Sequence, residues 1–220
     1  MGEFAPSLSP AFAERALREG LTVVIGSGSV AAGNLGGLVC ELGRAQPGPT
    51  LVILTEAAAR FVMPTTVQHL GRCPVLREET TGPTLDPLHV WLTDVASRLL
   101  VYPASAGFLA RAAAGMATDL ASTTLLCATG IPIVMVPSMH PRMWANCLVQ
   151  QNVQRLRQAG IGFLNPTDGM APPVEEVASA FCDVSTEREI PAGRQGHGHN
   201  AYRGDERHPD HRIRPDKHSG

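Results

Sequence analysis

Lysine is nearly missing: Lys217, fourth from the end, is the only one in 220 residues. A Schiff-base enzyme needs a lysine amine held inside a pocket, so pyridoxal phosphate chemistry is excluded. No apolar run approaches the roughly 20 residues that a membrane-crossing helix requires, and no membrane partner is expected. A net charge of −2 gives no basic surface for a nucleic acid to read. The five cysteines, Cys40, Cys73, Cys127, Cys147 and Cys182, show no CxxC spacing, which fits neither a disulfide scaffold nor a zinc cluster and suits a reducing cytoplasm. The opening Met1-Gly2-Glu3-Phe4 lacks a basic n-region and an apolar h-region, and Pro6 stands where a myristoylation signal has Ser or Thr; export is not expected.

What is present is an alternation of apolar β-branched runs with helical stretches. Strands are expected at 21–25, 51–54, 98–102, 131–136 and 162–164, and helices at 11–18, 31–42, 56–62, 106–114, 143–158 and 174–181. Strands apolar on both faces mean a parallel sheet covered on both sides. The expected fold is α/β: a Rossmann-like (flavodoxin-like) doubly wound parallel sheet in three αβα layers, with its sites at the carboxyl ends of strands. Residues 1–20 read as an N-terminal extension and 21–166 as the main domain. Periodicity weakens over 167–190. The stretch 191–220 holds five histidines and almost no apolar side chains, the composition of a disordered tail; no metal site is expected from it.

Three features carry chemistry. Gly26-Ser27-Gly28-Ser29 follows the first strand and opens a helix, where small residues, backbone N–H groups and serine hydroxyls make a phosphate cradle. It is not the spaced GxGxxG fingerprint, and a plain structural turn has the same sequence. Thr55 follows the second strand and suits either a helix cap or a ligand contact. His89, in Leu88-His89-Val90-Trp91, reads as a satisfied structural histidine or as a base.

Two further segments end apolar strands: Pro103-Ala104-Ser105-Ala106-Gly107-Phe108 and Pro137-Ser138-Met139-His140-Pro141-Arg142-Met143-Trp144. They resemble the paired signatures Pro-Ala-Ser-Ala-Asn-Thr and Pro-x-Met-Asn-x-x-Met-Trp of the homo-oligomeric flavin-containing cysteine decarboxylases, most closely the peptidyl-cysteine decarboxylases of aminovinyl-cysteine biosynthesis in lanthipeptides, linaridins and thioviridamide-type peptides. The resemblance spans about residues 22–166. It implies FMN as cofactor, with Gly26, Ser27, Gly28 and Ser29 at the phosphate and Thr55, Ala104, Ser105 and Met139 along the flavin. His89, fourteen residues before Pro103, falls where the family has its active-site histidine, and its implied role is to take the thiol proton of a cysteine. His140, in place of the family asparagine, with Met143 and Trp144, is implied to bind substrate; Trp144 reads equally as packing for the next helix. Gly107 and Phe108 replace the family Asn and Thr.

The resemblance implies oxidative decarboxylation of the C-terminal cysteine of a ribosomally made precursor peptide to an aminoenethiol. It implies a homo-oligomer, a trimer or a dodecamer of trimers, and a substrate clamp within 167–190. The alternative is phosphopantothenoylcysteine decarboxylation in coenzyme A biosynthesis. Its relatives carry an Ala-Cys-Gly segment, matched here only by Ala180-Phe181-Cys182 without the glycines. A flavin prenyltransferase of similar fold and a non-catalytic flavin-binding subunit complete the alternatives.

Overall fold

The computed structural model describes residues 8–78, 83 and 86–184. Four central strands, β1 (Leu21–Gly26), β2 (Thr50–Leu54), β4 (Ala96–Ala104) and β5 (Ile133–Pro137), are joined by two-residue edge strands, β3 (Val75–Leu76) and β6 (Gly162–Phe163). All pair in parallel in the order β3-β2-β1-β4-β5-β6, which is the Rossmann form of the doubly wound sheet. Every residue of β1 and β2 is buried, as expected of strands covered on both faces.

Successive strand side chains alternate between two cores. Val23, Ile25, Leu51, Ile53, Leu99 and Val101 enter one, with α1 (Pro10–Glu19), α4 (Leu88–Val95), α5 (Ala106–Ala113), α6 (Leu120–Cys127) and α8 (Cys147–Gln158) packed over them. Val24, Val52, Leu54, Leu100 and Tyr102 enter the other, under α2 (Leu35–Ala45), α3 (Pro64–Gly71) and α9 (Val174–Val184). Each fully buried Leu or Ile contributes about 1.5–3 kcal/mol by leaving water. Among the described residues no helix is long and apolar enough to cross a membrane.

Several expectations need correction. The helix expected at 56–62 is a short 3-10 turn, Ala58–Arg60, started by Thr55, whose Oγ1 accepts the Ala58 N–H at 3.2 Å. The helix on that connection is α3, where Pro64 sits at the first position and needs no N–H partner. The helix expected at 31–42 begins late: Val30–Asn34 form a 3-10 turn and α2 starts at Leu35. The helix expected at 143–158 is two helices, α7 (Pro141–Trp144) and α8, because the Asn146 side chain accepts the Leu148 N–H at 2.9 Å and restarts the helix.

Both flanking stretches contribute to the core. The expected extension, 1–20, contains α1, whose Ala13 and Ala16 belong to the core. The stretch expected as a clamp, 167–190, contains α9, whose Val177, Ala178 and Phe181 are buried. Residues 185–190 and the histidine-rich stretch 191–220 lie outside the described residues.

Candidate functional site

In this strand order the chain winds one way from β1 and the other way from β4, so a crevice opens at their carboxyl ends. Both predicted strand-end segments meet there. The Ser27 hydroxyl donates to the Pro103 carbonyl at 2.7 Å, and the Ser105 N–H donates to Ser27 Oγ at 2.8 Å. The Ser27 N–H also reaches the Pro103 carbonyl, at 3.2 Å. Ser105 caps α5 through Phe108 N and lies 3.1 Å from Ser27 Oγ. Ser27 is 1 % exposed, with its O–H and N–H both used inside the protein. It therefore braces the two strand ends against each other.

The rest of the turn keeps donors to offer. Among the described residues no hydrogen bond takes up the backbone N–H groups of Gly28, Ser29, Val30 or Ala31. Ser29 makes no side-chain bond to its own 3-10 turn. Its hydroxyl instead meets that of Ser138 at 2.9 Å. A Cβ on Gly28 would lie 2.6 Å from the Cβ of Ala57, so only glycine lets the turns after β1 and β2 come this close. On Gly26 a Cβ would strike Leu35 and Leu54, so the second glycine lets α2 seat against the strand end. Four adjacent N–H groups and a hydroxyl fit a phosphate. The fit comes from a loop and a 3-10 turn; the α-helix starts too late to supply its own first turn.

Thr55 is buried, its N–H bonded to the Gly26 carbonyl at 3.0 Å, and Ala104 is fully buried at the end of β4. Gly107 is exposed in the first turn of α5, and a Cβ there would meet nothing within 4 Å. Phe108 is buried in the core with the Arg111 guanidinium 5.7 Å from its ring centre.

His89 is half-buried in the first turn of α4, and its carbonyl accepts the Thr93 hydroxyl at 3.0 Å. Since α4 runs directly into β4, its first turn lies toward the carboxyl end of the sheet. The sequence around His89 predicts no helix, and α4 (Leu88–Val95) is the element that holds it.

The segment after β5 is fixed from two sides. The Ser138 N–H bonds the Ala104 carbonyl at 3.1 Å, and the Met139 N–H bonds the Gly169 carbonyl at 2.8 Å. Gly169 has φ +80, and a Cβ there would overlap the backbone of Met139. Part of the expected clamp is thus pinned against Met139 and His140. His140 caps α7, its Nδ1 accepting the Arg142 N–H at 3.2 Å. The acceptor role at Nδ1 puts the proton of the neutral ring on Nε2, on an exposed side chain. Met139 and Trp144 pack against the core, while Met143 remains exposed.

Cys182 is at the other end of the sheet. Its thiol lies 3.8 Å from Gln46 Oε1, and Gln46 Nε2 and Arg98 Nε both bond Thr22 Oγ1 near the start of β1. Burial raises the Cys182 thiol above its ordinary range, against the lowering effect of Arg98, and lowers Arg98. Cys73, buried behind α3, is pushed up to about 12 for the same reason. Burial thus disfavours the thiolate at both. Among the described residues no cluster of His, Cys, Asp or Glu could hold a metal ion.

Among curated proteins, the chain is 34% identical over 188 residues, 77% of its length, to the coenzyme A biosynthesis bifunctional protein CoaBC of Haemophilus influenzae. It is 39% identical over 148 residues, 67% of its length, to the protein of that name from Mycobacterium bovis. It spans only 45% and 35% of these relatives. Among solved structures it superposes on SpaF, described as an FMN-dependent cysteine decarboxylase, with a TM-score of 0.68 and 25% identity, over 78% of this chain and 99% of that one. The fold also matches the peptidyl-cysteine decarboxylase EpiD, with a TM-score of 0.62 and 24% identity, over 74% and 98% of the two chains. The model of the flavoprotein family matches residues 12–186, and with the crevice and its turns on the same stretch, this chain belongs to that family.

Proposed function

We infer that this chain is an FMN-dependent cysteine decarboxylase that oxidatively decarboxylates the C-terminal cysteine of a ribosomally synthesised peptide to an aminoenethiol, for aminovinyl-cysteine formation, as a cytoplasmic homo-oligomer. The observation that carries the reading is the meeting, at one crevice, of the Gly28–Ala31 donors, the Ala104-Ser105 strand end and the pinned Met139-His140 segment. The likeness to SpaF over nearly its whole length supports the same chemistry.

When bound, FMN supplies a two-electron acceptor for the hydride of the cysteine Cβ. His89 takes the thiol proton, so the sulfur lone pair can form the carbon–sulfur double bond. His140, donating from Nε2, holds the substrate carboxylate. The new thiocarbonyl is β to that carboxylate and accepts the electron pair left when carbon dioxide departs. The buried, mostly apolar strand end at Ala104 keeps water from one side of the site.

The likeness to CoaBC favours a second reading, phosphopantothenoylcysteine decarboxylation. Against it stands Cys182, the one counterpart of that group's extra cysteine, located against Gln46 at the amino end of the sheet. Incubation with cysteine-ending peptides and with phosphopantothenoylcysteine, followed by mass measurement, separates the two. Loss of carbon dioxide plus two hydrogens from the peptide is expected. Turnover of phosphopantothenoylcysteine alone, with loss of carbon dioxide only, would overturn the peptide assignment.

A further inference from the structure

The bond between Ser29 and Ser138 joins elements that are not neighbours in the sheet. Ser29 follows β1, Ser138 follows β5, and β4 lies between them. The oxygens are 2.9 Å apart, and Ser138 is 6 % exposed. The Ser138 backbone is held by its bond to the Ala104 carbonyl, so its hydroxyl is placed with little freedom. Ser29 makes no side-chain cap bond, so its oxygen is not already accepting from its own turn.

Two hydroxyls in contact own two protons and use one between them. Heavy-atom positions leave the direction open. An anion beside the free N–H groups of 28–31 decides it: Ser138 donates to Ser29, and Ser29 turns its own proton to the anion. A hydroxyl that accepts a hydrogen bond is also a stronger donor.

We propose that Ser138 is a positioning residue for the phosphate of the bound mononucleotide, acting through Ser29 and contributed from the far side of the crevice. The inference rests on the reading of the 26–29 turn as the phosphate cradle. It assigns to the Pro137–Trp144 segment a share in cofactor selection, beside its expected contact with substrate.

The test compares flavins with and without the phosphate. FMN and riboflavin are titrated into apoprotein of the unmodified chain, Ser29→Ala, Ser138→Ala, Ser138→Thr and the double alanine variant, with the melting temperature of each apoprotein recorded. Ser138→Ala is expected to weaken FMN by about tenfold and riboflavin by less than about twofold, the scale of one lost hydrogen bond. Ser138→Thr, which keeps the hydroxyl, should recover most of the FMN affinity. The double variant should bind FMN no worse than Ser29→Ala, because the pair acts as one unit. Equal weakening of both flavins at Ser138→Ala, or additive losses in the double variant, would overturn the proposal. A loss of FMN preference at Ser29→Ala but none at Ser138→Ala refutes this inference alone, whereas an unmodified chain that binds riboflavin as tightly as FMN refutes the cradle.

Discussion

Gly28 and Ala57 leave no room for another atom between them: a Cβ on Gly28 would stand 2.6 Å from the Ala57 Cβ and 3.3 Å from its carbonyl carbon. The turns after β1 and β2 are therefore locked to each other at the edge of the crevice. Gly28→Ala must push one of them away, at a cost of about 1–3 kcal/mol, and the purified variant should retain less flavin. Adding Ala57→Gly removes the nearest clash. Recovery of flavin content in the double variant, read from its absorbance, checks that this contact is the cause.

His89→Asn should keep flavin and the assembly state of the unmodified protein while turnover falls by about 10²-fold or more, the usual scale for losing a positioned base. The half-buried α4 position and the backbone bond to Thr93 are compatible with asparagine. Rapid mixing of the loaded protein with peptide, following flavin bleaching, is the measurement. Loss of flavin or aggregation would show that His89 serves the fold.

The exposed side chain of His140 sets a third expectation. His140→Ala should weaken binding of a peptide acid by about 1.5–3 kcal/mol, the range for a hydrogen bond to a charged group, and affect the matching C-terminal amide far less. His140→Asn should restore much of the loss, since asparagine both donates hydrogen bonds and caps helices. Calorimetric titration of acid and amide with the three proteins gives the comparison. Equal losses for the two peptides would mean that His140 shapes the segment without reading the carboxylate.

Alkaline pH should destabilise the fold by a route unrelated to catalysis. Cys73 is pushed up to about 12 by burial, and burial raises Tyr102 as well. The unfolded chain releases the thiol proton from about pH 8.5 upward, while the folded chain holds it. The unfolded state then binds fewer protons, so stability falls as pH rises from there toward 12. Urea midpoints measured between pH 8 and 11 should decline, and Cys73→Ala should decline less steeply.

The four central strands were legible because buried parallel strands are plain apolar runs, as Leu21–Gly26 and Thr50–Leu54 show. Helix α6 was missed since Leu120–Cys127 has no apolar stripe of helical period, with Ser122, Thr123 and Thr124 consecutive in its middle. Its readable signal was local, the reciprocal capping of Asp119 and Ser122. Strand β3, two residues long, is defined by its neighbour more than by its own sequence. The site divides in the same way. Glycines and strand ends could be read from short segments, but the partner of Ser27 is 76 residues away and that of Ser29 is 109 away. Neither partner is readable from the turn alone, since long-range pairing ties Ser27 to Pro103 and Ser29 to Ser138.

Gly107 carries a different consequence. Ser105 and Gly28 each sit where the scaffold meets the crevice, so variation at either disturbs both. Gly107 sits beside them in helical geometry with nothing near a new side chain. Here a Cβ can be added without moving any neighbour, so a library at this one position tests the specificity of the crevice without first damaging the protein that must display it.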